Sequence, residues 1–177
     1  MGRENQFEYM LTGGNPNSLG NTLQVVKTVL ADKRRLNELY QCYFSEDEVV
    51  RLRVSNAMKR IFKEQPEWIA EHLDGLTTDI ASIDQASTRW TLATLFMWLD
   101  AYMTQSQRQK AIAVMKHNLT HDNDWIVLNT TAESLAFFAR KDKKLASWLL
   151  PELKKLTQDK HKSVSNRARK LIVSLDR

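Results

Sequence analysis

A pattern of apolar and polar positions repeats four times along the chain, with a spacing of about 38 residues. The segments that align without gaps begin at Val50, Thr88, Val127 and Val164, so their first residues lie 38, 39 and 37 positions apart. In each segment apolar residues recur every three or four positions, which is the period of a helix with one buried face. A constant period of this length is typical of stacked helical hairpins and predicts an all-α solenoid.

Each repeat is predicted to contain a helix, a short turn and a second helix. The four predicted pairs span residues 33–43 and 47–63, 66–80 and 84–103, 106–119 and 122–140, and 143–157 and 161–175. A further helix begins near Ser18, where Leu19, Leu23, Val26 and Leu30 are spaced to share one face. We expect this helix to cap the N-terminal end of a solenoid domain that spans residues 17–177.

Residues 1–16 differ from the rest of the chain because they show no helical period. They contain the run Gly13-Gly14-Asn15-Pro16, whose residue types favour turns and loops. This composition predicts a flexible N-terminal tail, or a tail partly ordered against the first helix.

Three local signals refine the predicted helix ends. Ser45, with Glu48 three residues later, has the spacing of a capping box, and Pro66 suits a first helical position because its missing N–H needs no partner there. Pro151 falls inside a predicted helix and should bend it, because it removes one backbone hydrogen bond.

The second helix of each repeat resembles the HEAT repeat, through the pattern Val-Arg-x-x-small-x-x-small-apolar-x-x-apolar. The match is best at Val50–Ile61 and Val164–Leu175, and the Leu-Leu-Pro-Glu-Leu run at Leu149–Leu153 is similar to a HEAT first helix. The chain departs from the pattern at Thr88, where valine is usual, and at Leu128, where arginine is usual. Its period is also slightly shorter than the 40–47 residues typical of HEAT and armadillo arrays.

The resemblance covers about residues 33–175, and the chain looks like a small bacterial HEAT-repeat protein. It implies a right-handed, armadillo-like α-solenoid of about four hairpins, with an N-terminal capping helix and a concave surface lined by the second helices. Small residues at Ala57, Ser134 and Ala168 would let the paired helices approach closely. The repeat register predicts that one set of positions is buried: Val50, Val54, Ala57, Met58, Ile61, Leu92, Leu95, Phe96 and Leu99.

The same register predicts a concave groove with an aromatic centre and a basic margin. Trp98 and Phe137 take positions that the template assigns to the open face, and basic residues flank them. The alternative is that Trp98 packs under a neighbouring helix or the N-terminal tail. The predicted partner-binding residues are Arg53, Arg60, Lys63, Trp98, Phe137, Arg140, Arg167 and Lys170.

Charge is unevenly distributed along the chain. Residues 140–177 carry twelve Lys and Arg against four Asp and Glu, whereas residues 1–139 carry fourteen against seventeen. Such an asymmetry can mark an end that binds polyanions. It can equally be the polar cap that closes the open hydrophobic end of a solenoid.

The sequence offers few candidates for catalysis, cofactor binding or metal binding, and we predict none of the three. His117 and His121 have a zinc-compatible spacing, but no third partner has a matching spacing. Val127 replaces the glycine that a calcium loop beginning at Asp122 would need. The Gly-rich phosphate-binding motifs and the nucleophile-elbow motif are absent. The lone Cys42, the lack of an apolar run of 18 residues and the polar N-terminus predict a cytoplasmic protein without a membrane segment.

One enzymatic family bears a partial resemblance to the chain. Bacterial DNA glycosylases that remove alkylated purines are built from HEAT-like repeats, and Asp122–Ile126 is similar to a segment that continues there into a pair of arginines. Val127 and Leu128 stand in those places here, so the phosphate-contacting pair is missing. If the chain were such an enzyme, Asp100, near Trp98, would be the carboxylate to test.

The favoured hypothesis is therefore a non-catalytic scaffold that binds a partner helix or peptide with acidic groups. We expect a monomer or a weak dimer that binds no membrane. Nucleic-acid binding is the alternative, in which the basic residues would neutralise phosphates and the aromatic residues would stack on bases.

Overall fold

A computed structural model describes residues 6–175 of the 177-residue chain, and every regular element in that range is a helix. The all-α prediction is confirmed, in keeping with a composition of only five Gly and three Pro. In chain order the helices are α1 (Gln6–Leu11), α2 (Thr22–Ala31), α3 (Leu36–Gln41), α4 (Glu48–Glu64), α5 (Pro66–Ala70), α6 (Leu73–Thr77), α7 (Ala86–Trp98), α8 (Gln105–His121), α9 (Trp125–Ala139), α10 (Lys143–Leu156) and α11 (Lys162–Leu175).

Four short 3₁₀ turns extend or join these helices, at Lys33–Arg35, Cys42–Phe44, Ile80–Ser82 and Asp100–Tyr102. The chain divides into two compact units, Met1–Thr91 and Leu92–Arg177, which we call the N-terminal and C-terminal units. The division falls inside α7. None of the described helices is long and apolar enough to cross a membrane.

In the N-terminal unit the core lies around α4, which packs against α1, α2 and α5. The apolar face that the repeat register predicts for this helix is confirmed, because Val50, Val54, Ala57, Met58 and Ile61 have no exposed surface. The predicted burial of the corresponding positions in α7 and directly after it is also confirmed, at Leu92, Leu95, Phe96 and Leu99.

The N-terminal segment contains a helix that the sequence analysis missed. Residues 1–5 of the predicted tail lie outside the described residues, but Gln6–Leu11 forms α1, so the prediction of a non-helical segment is wrong there. Phe7 and Leu11, one turn apart, are fully buried, and α1 packs against α2, α3 and α4. Burial of this two-residue stripe stabilises a helix that is too short to be stable in isolation.

The buried face of α2 also differs from the prediction. Val25, Val26 and Val29 are buried, whereas Leu23 is 54% exposed. The predicted face is thus confirmed at Val26 and wrong at Leu23, and Leu19 and Leu30 are half-buried, because the predicted stripe runs along the edge of the true apolar face. The start of α4 differs too, since Asp47, and not Ser45, is its N-cap and accepts the Val49 N–H at 2.8 Å.

The predicted helix over residues 66–80 is interrupted. Pro66 opens α5 as expected, but α5 ends at Ala70, and α6 and the Ile80–Ser82 turn follow as separate pieces. Gly75 in α6 permits a close approach, since a Cβ there would lie 2.1 Å from the Tyr40 hydroxyl oxygen. The interruption lets this stretch wrap around Tyr40, whose ring also stacks on His72 at 4.6 Å.

In the C-terminal unit consecutive helices pack in pairs. α8 packs on α9 and α10 on α11, and α9 also contacts α10 and α11. The ends of three of these helices have clear caps: a Thr104–Gln107 capping box on α8, Asp124 on α9 and Asp142 on α10. Ser134 and Ala168 are buried at the predicted close-packed positions, and the Ser134 hydroxyl donates a hydrogen bond to the Ala93 carbonyl at 2.8 Å.

Candidate interaction surface

Three of the predicted partner-binding residues line one open pocket in the C-terminal unit. Arg140 ends α9, and Arg167 and Lys170 project from α11. We call this cavity of about 540 Å³ the basic pocket. Its remaining lining residues are Ser163, Asn166, Leu171 and Ser174.

The basic pocket carries positive charge that is only partly neutralised. Arg167 Nη1 lies 2.6 Å from Glu133 Oε2, a contact between two half-exposed side chains. Arg140 and Lys170 are exposed, and among the described residues neither has a carboxylate within ion-pair distance. The pocket therefore presents an uncompensated guanidinium and an uncompensated ammonium group to solvent.

The C-terminal unit as a whole also carries an excess of positive charge. It contains fifteen Lys and Arg against eight Asp and Glu, whereas the N-terminal unit contains eleven against thirteen. A field of one sign around a cleft raises the local concentration of oppositely charged ligands.

Phe137 lies in a different pocket from Arg140. It is half-buried and packs edge-on against Phe138 with ring centroids 5.3 Å apart. With Ile112 these rings form the apolar side of a second cavity, of about 630 Å³, at the first turns of α8 and α10. We call it the lysine-rimmed pocket, because Lys141, Lys143 and Lys144 stand at its edge.

Both carboxylates at the lysine-rimmed pocket already have partners. Arg108 Nε donates to Asp100 Oδ1 at 2.6 Å, and Arg108 Nη2 donates to the Asp100 carbonyl. Asp142 Oδ1 accepts the backbone N–H groups of Lys144 and Leu145 as the α10 cap. The three lysines have no carboxylate partner in the part of the chain that the structure describes.

Sequence reasoning missed these lysines because it searched only the second helices for partner-binding residues. Lys141, Lys143 and Lys144 belong to the turn before α10 and to its first turn. The usable signal was the run of charges Arg140 to Lys144 at a predicted helix boundary.

Trp98 is half-buried at the end of α7 and lines neither pocket. Trp125 is the most exposed tryptophan, at 47%, on the first turn of α9.

Arg53 is the clearest correction among the predicted partner-binding residues. The template places it on the open face, but it is only 2% exposed. Its guanidinium donates to backbone carbonyls of the segment between α1 and α2, which lies over this side of α4: Leu11, Thr12, Gly13, Asn15 and Ser18.

Arg60 and Lys63, the other predicted basic residues of α4, are exposed as expected. They lie beside Lys59, which is half-buried. Burial lowers the pKa of Lys59, and the charges of Arg60 and Lys63 lower it further.

The described residues contain no group of three or more His, Cys, Asp or Glu side chains placed to hold a metal ion. His117 and His121 stack with ring centroids 4.2 Å apart, and His121 Nδ1 lies 3.0 Å from the His117 carbonyl oxygen. Burial raises the pKa of Tyr43 and lowers the pKa of His72; both lie in the N-terminal unit, among packed side chains.

No protein-family model matches the chain, and a search of the curated proteins finds no match either. The resemblance to HEAT repeats therefore rests on the motifs and spacing of this sequence alone.

Proposed function

We propose that the chain is a non-catalytic protein-interaction module that binds an acidic segment of a partner protein in the basic pocket. The observation that carries the proposal is the convergence of Arg140, Arg167 and Lys170 on one cavity. Within residues 6–175, no carboxylate lies within ion-pair distance of Arg140 or Lys170. Guanidinium groups bind carboxylates through paired, charge-assisted hydrogen bonds. Ser163 and Asn166 add neutral donors at the same edge of α11.

We further propose that the scaffold is a right-handed HEAT-like solenoid. The repeat period near 38 residues supports this arrangement. So does the contact of α9 with α11, the second helices of two successive pairs. In such a fold neighbouring second helices lie side by side, which would make α9 and α11 part of one binding face.

Nucleic-acid binding is the second candidate, favoured by the positive charge of the C-terminal unit. Two features weigh against it. Glu133 forms an ion pair with Arg167 and so weakens the positive potential that would attract phosphates. The basic pocket also has no aromatic lining residue, whereas stacking of bases on aromatic rings contributes much of the affinity for single strands.

Fluorescence anisotropy with a labelled peptide of mixed Asp and Glu, and with labelled single-stranded and double-stranded DNA and RNA, tests the proposal. We expect the peptide to bind the protein and Arg140→Glu/Lys170→Glu to weaken that binding at least ~10-fold, because two attractive contacts become repulsive. The matched control is Lys154→Glu/Lys160→Glu, which makes the same charge change at exposed positions outside both pockets.

Three results would decide against acidic-peptide recognition in the basic pocket. Equal losses in the two double variants would mean that net charge alone drives binding. A peptide that fails to bind would refute the proposal directly. Nucleic acid that binds tightly at about 50 mM salt and is released at about 200 mM, with no peptide binding, would favour the second candidate.

A further inference from the structure

The lysine-rimmed pocket is lined by both apolar and positively charged side chains. None of its lining residues also lines the basic pocket. Ile112, Phe137 and Phe138 supply the wall, and Lys141, Lys143 and Lys144 stand at the edge. Its volume of about 630 Å³ lies in the range of pockets that enclose a whole ligand group. Such a cavity favours a ligand that is apolar at its centre and anionic around it.

Each pocket has a lining residue in the last turn of α9 or at its C-cap. Phe137 lines one and Arg140 lines the other, and the backbone of Arg140, at φ −59° and ψ −26°, still has helical geometry. Side chains three positions apart on a helix have Cβ atoms about 5–6 Å apart. An extended peptide advances about 3.3 Å per residue, so two or three residues cover that separation.

The lysines of the lysine-rimmed pocket favour negatively charged groups next to the apolar group of the ligand. Asp100 is held by Arg108, and Asp142 is held by the first turn of α10. The lysines therefore face solvent without an internal partner among the described residues.

We infer that the lysine-rimmed pocket holds one large apolar side chain of the same acidic segment that the basic pocket binds. The partner sequence is then an aromatic or long aliphatic residue flanked by Asp or Glu. The inference rests on the proposed function and adds to it a requirement for an apolar anchor. Burying one such side chain against Phe137 and Ile112 supplies affinity that salt does not screen.

A set of labelled acidic peptides that differ only at one central residue tests the inference by anisotropy. We expect peptides with a central Phe, Trp or Leu to bind the wild-type protein at least ~10-fold more tightly than the peptide with a central Ala. The preference should survive an increase in salt, whereas the shared electrostatic part of the binding should weaken.

Lys143→Glu/Lys144→Glu provides the matching protein variant. Glutamates at these first-turn positions favour the α10 helix, so a loss of binding would not be caused by unfolding. The variant should weaken binding of the Phe peptide, and the Lys154→Glu/Lys160→Glu control should weaken it less. Phe137→Ala should reduce the preference for Phe over Ala, with circular dichroism used to check that the helices remain.

The outcomes separate this inference from the proposed function. Equal binding of the Phe and Ala peptides, lost in Arg140→Glu/Lys170→Glu, would overturn the apolar anchor and leave the proposed function standing. If the preference for a central Phe over Ala persisted in both Phe137→Ala and Lys143→Glu/Lys144→Glu, the apolar side chain would not bind in the lysine-rimmed pocket. Absence of binding by every peptide would overturn both proposals.

Discussion

Arg53 is a charged side chain in the interior of the N-terminal unit, and its partners are all backbone carbonyls. Nη1 donates to Leu11 and Gly13 at 2.6 and 2.7 Å, and Nη2 donates to Asn15 at 3.1 Å. A guanidinium group suits this role because it presents five donors in a rigid plane and stays protonated. Arg53 therefore fastens the segment after α1 to α4.

The glycine at position 20 is part of the same arrangement. Its φ of +49° is a backbone conformation that side chains with a Cβ rarely adopt. A Cβ at this position would also lie 2.9 Å from Arg53 Cζ. Gly20 thus allows the chain to pass directly over the guanidinium group before α2 begins.

Replacing Arg53 by Met should destabilise the protein by about 2–4 kcal/mol, because several carbonyls lose a charged donor at a buried site. Arg53→Lys should remain well below wild-type stability, since an ammonium group cannot reach the same set of acceptors. Urea denaturation measures both changes. Arg60→Met, at an exposed position on the same helix, is the control and should change stability by less than about 0.5 kcal/mol. Similar losses for Arg53→Met and Arg60→Met would contradict this role.

At the scale of helices, the observed bounds of α8, α10 and α11 agree closely with those predicted from the sequence. They begin and end within two residues of the predicted bounds. The apolar period of the repeat predicted these bounds. Thr104 with Gln107 caps α8 and Asp142 caps α10, although neither cap was used in the prediction.

The break between α5 and α6 could not be predicted in the same way. Ile69, Leu73, Leu76 and Ile80 keep a helical spacing across it, and all four are buried. Continuous periodicity therefore hides the interruption. The contact of Tyr40 with Gly75 in α6 joins residues 35 positions apart, which the local pattern does not reveal. α1 was missed for the opposite reason, since its six residues span less than two turns and are too few to define a period.

The same distinction applies to the candidate binding residues. Arg140, Arg167 and Lys170 could be selected from sequence because their repeat positions share one face. Burial of Arg53 could not be foreseen, because its acceptors are backbone carbonyls and carry no residue signature. The separation of Phe137 from Arg140 depends on the packing of α8 and α10 around the end of α9.

The N-cap of α4 links stability to pH. Asp47 accepts the Thr12 hydroxyl at 2.7 Å and the Val49 N–H at 2.8 Å, and the Thr12 hydrogen bond is the main reason why the pKa of Asp47 is below its ordinary value. A lowered pKa in the folded state means that this contribution is present above about pH 4. It is lost as pH falls through the folded-state pKa.

Asp47→Ala should cost about 1 kcal/mol at pH 7, the usual loss for an N-cap. The difference from wild type should shrink as pH falls below about 4, because the Asp47 carboxylate of the unfolded chain takes up a proton before that of the folded protein. Denaturation of the two proteins across this pH range measures the effect, with Glu46→Ala as the control at the exposed neighbouring position. A deficit that stays constant down to pH about 3 would mean that the charge of Asp47 is not involved.

At the scale of the whole chain, the excess of positive charge and the two candidate pockets lie in the same unit. The positive excess belongs to the C-terminal unit, and both pockets lie there. A polar cap on a solenoid would explain the excess of charge. It would not explain why uncompensated cations stand around concave, partly apolar cavities, whereas recognition of an acidic segment accounts for both features.

The most direct test of this account is an amide NMR titration of the protein with the acidic peptide that carries a central Phe. The account predicts shifts concentrated at Arg140, Ser163, Asn166, Arg167 and Lys170, together with shifts at Phe137 and Lys143–Lys144. Amides of the N-terminal unit, including those of Arg60 and Lys63, should change little. Shifts spread evenly over exposed lysines and arginines, or centred on α4, would contradict the assignment of the binding surface to the C-terminal unit.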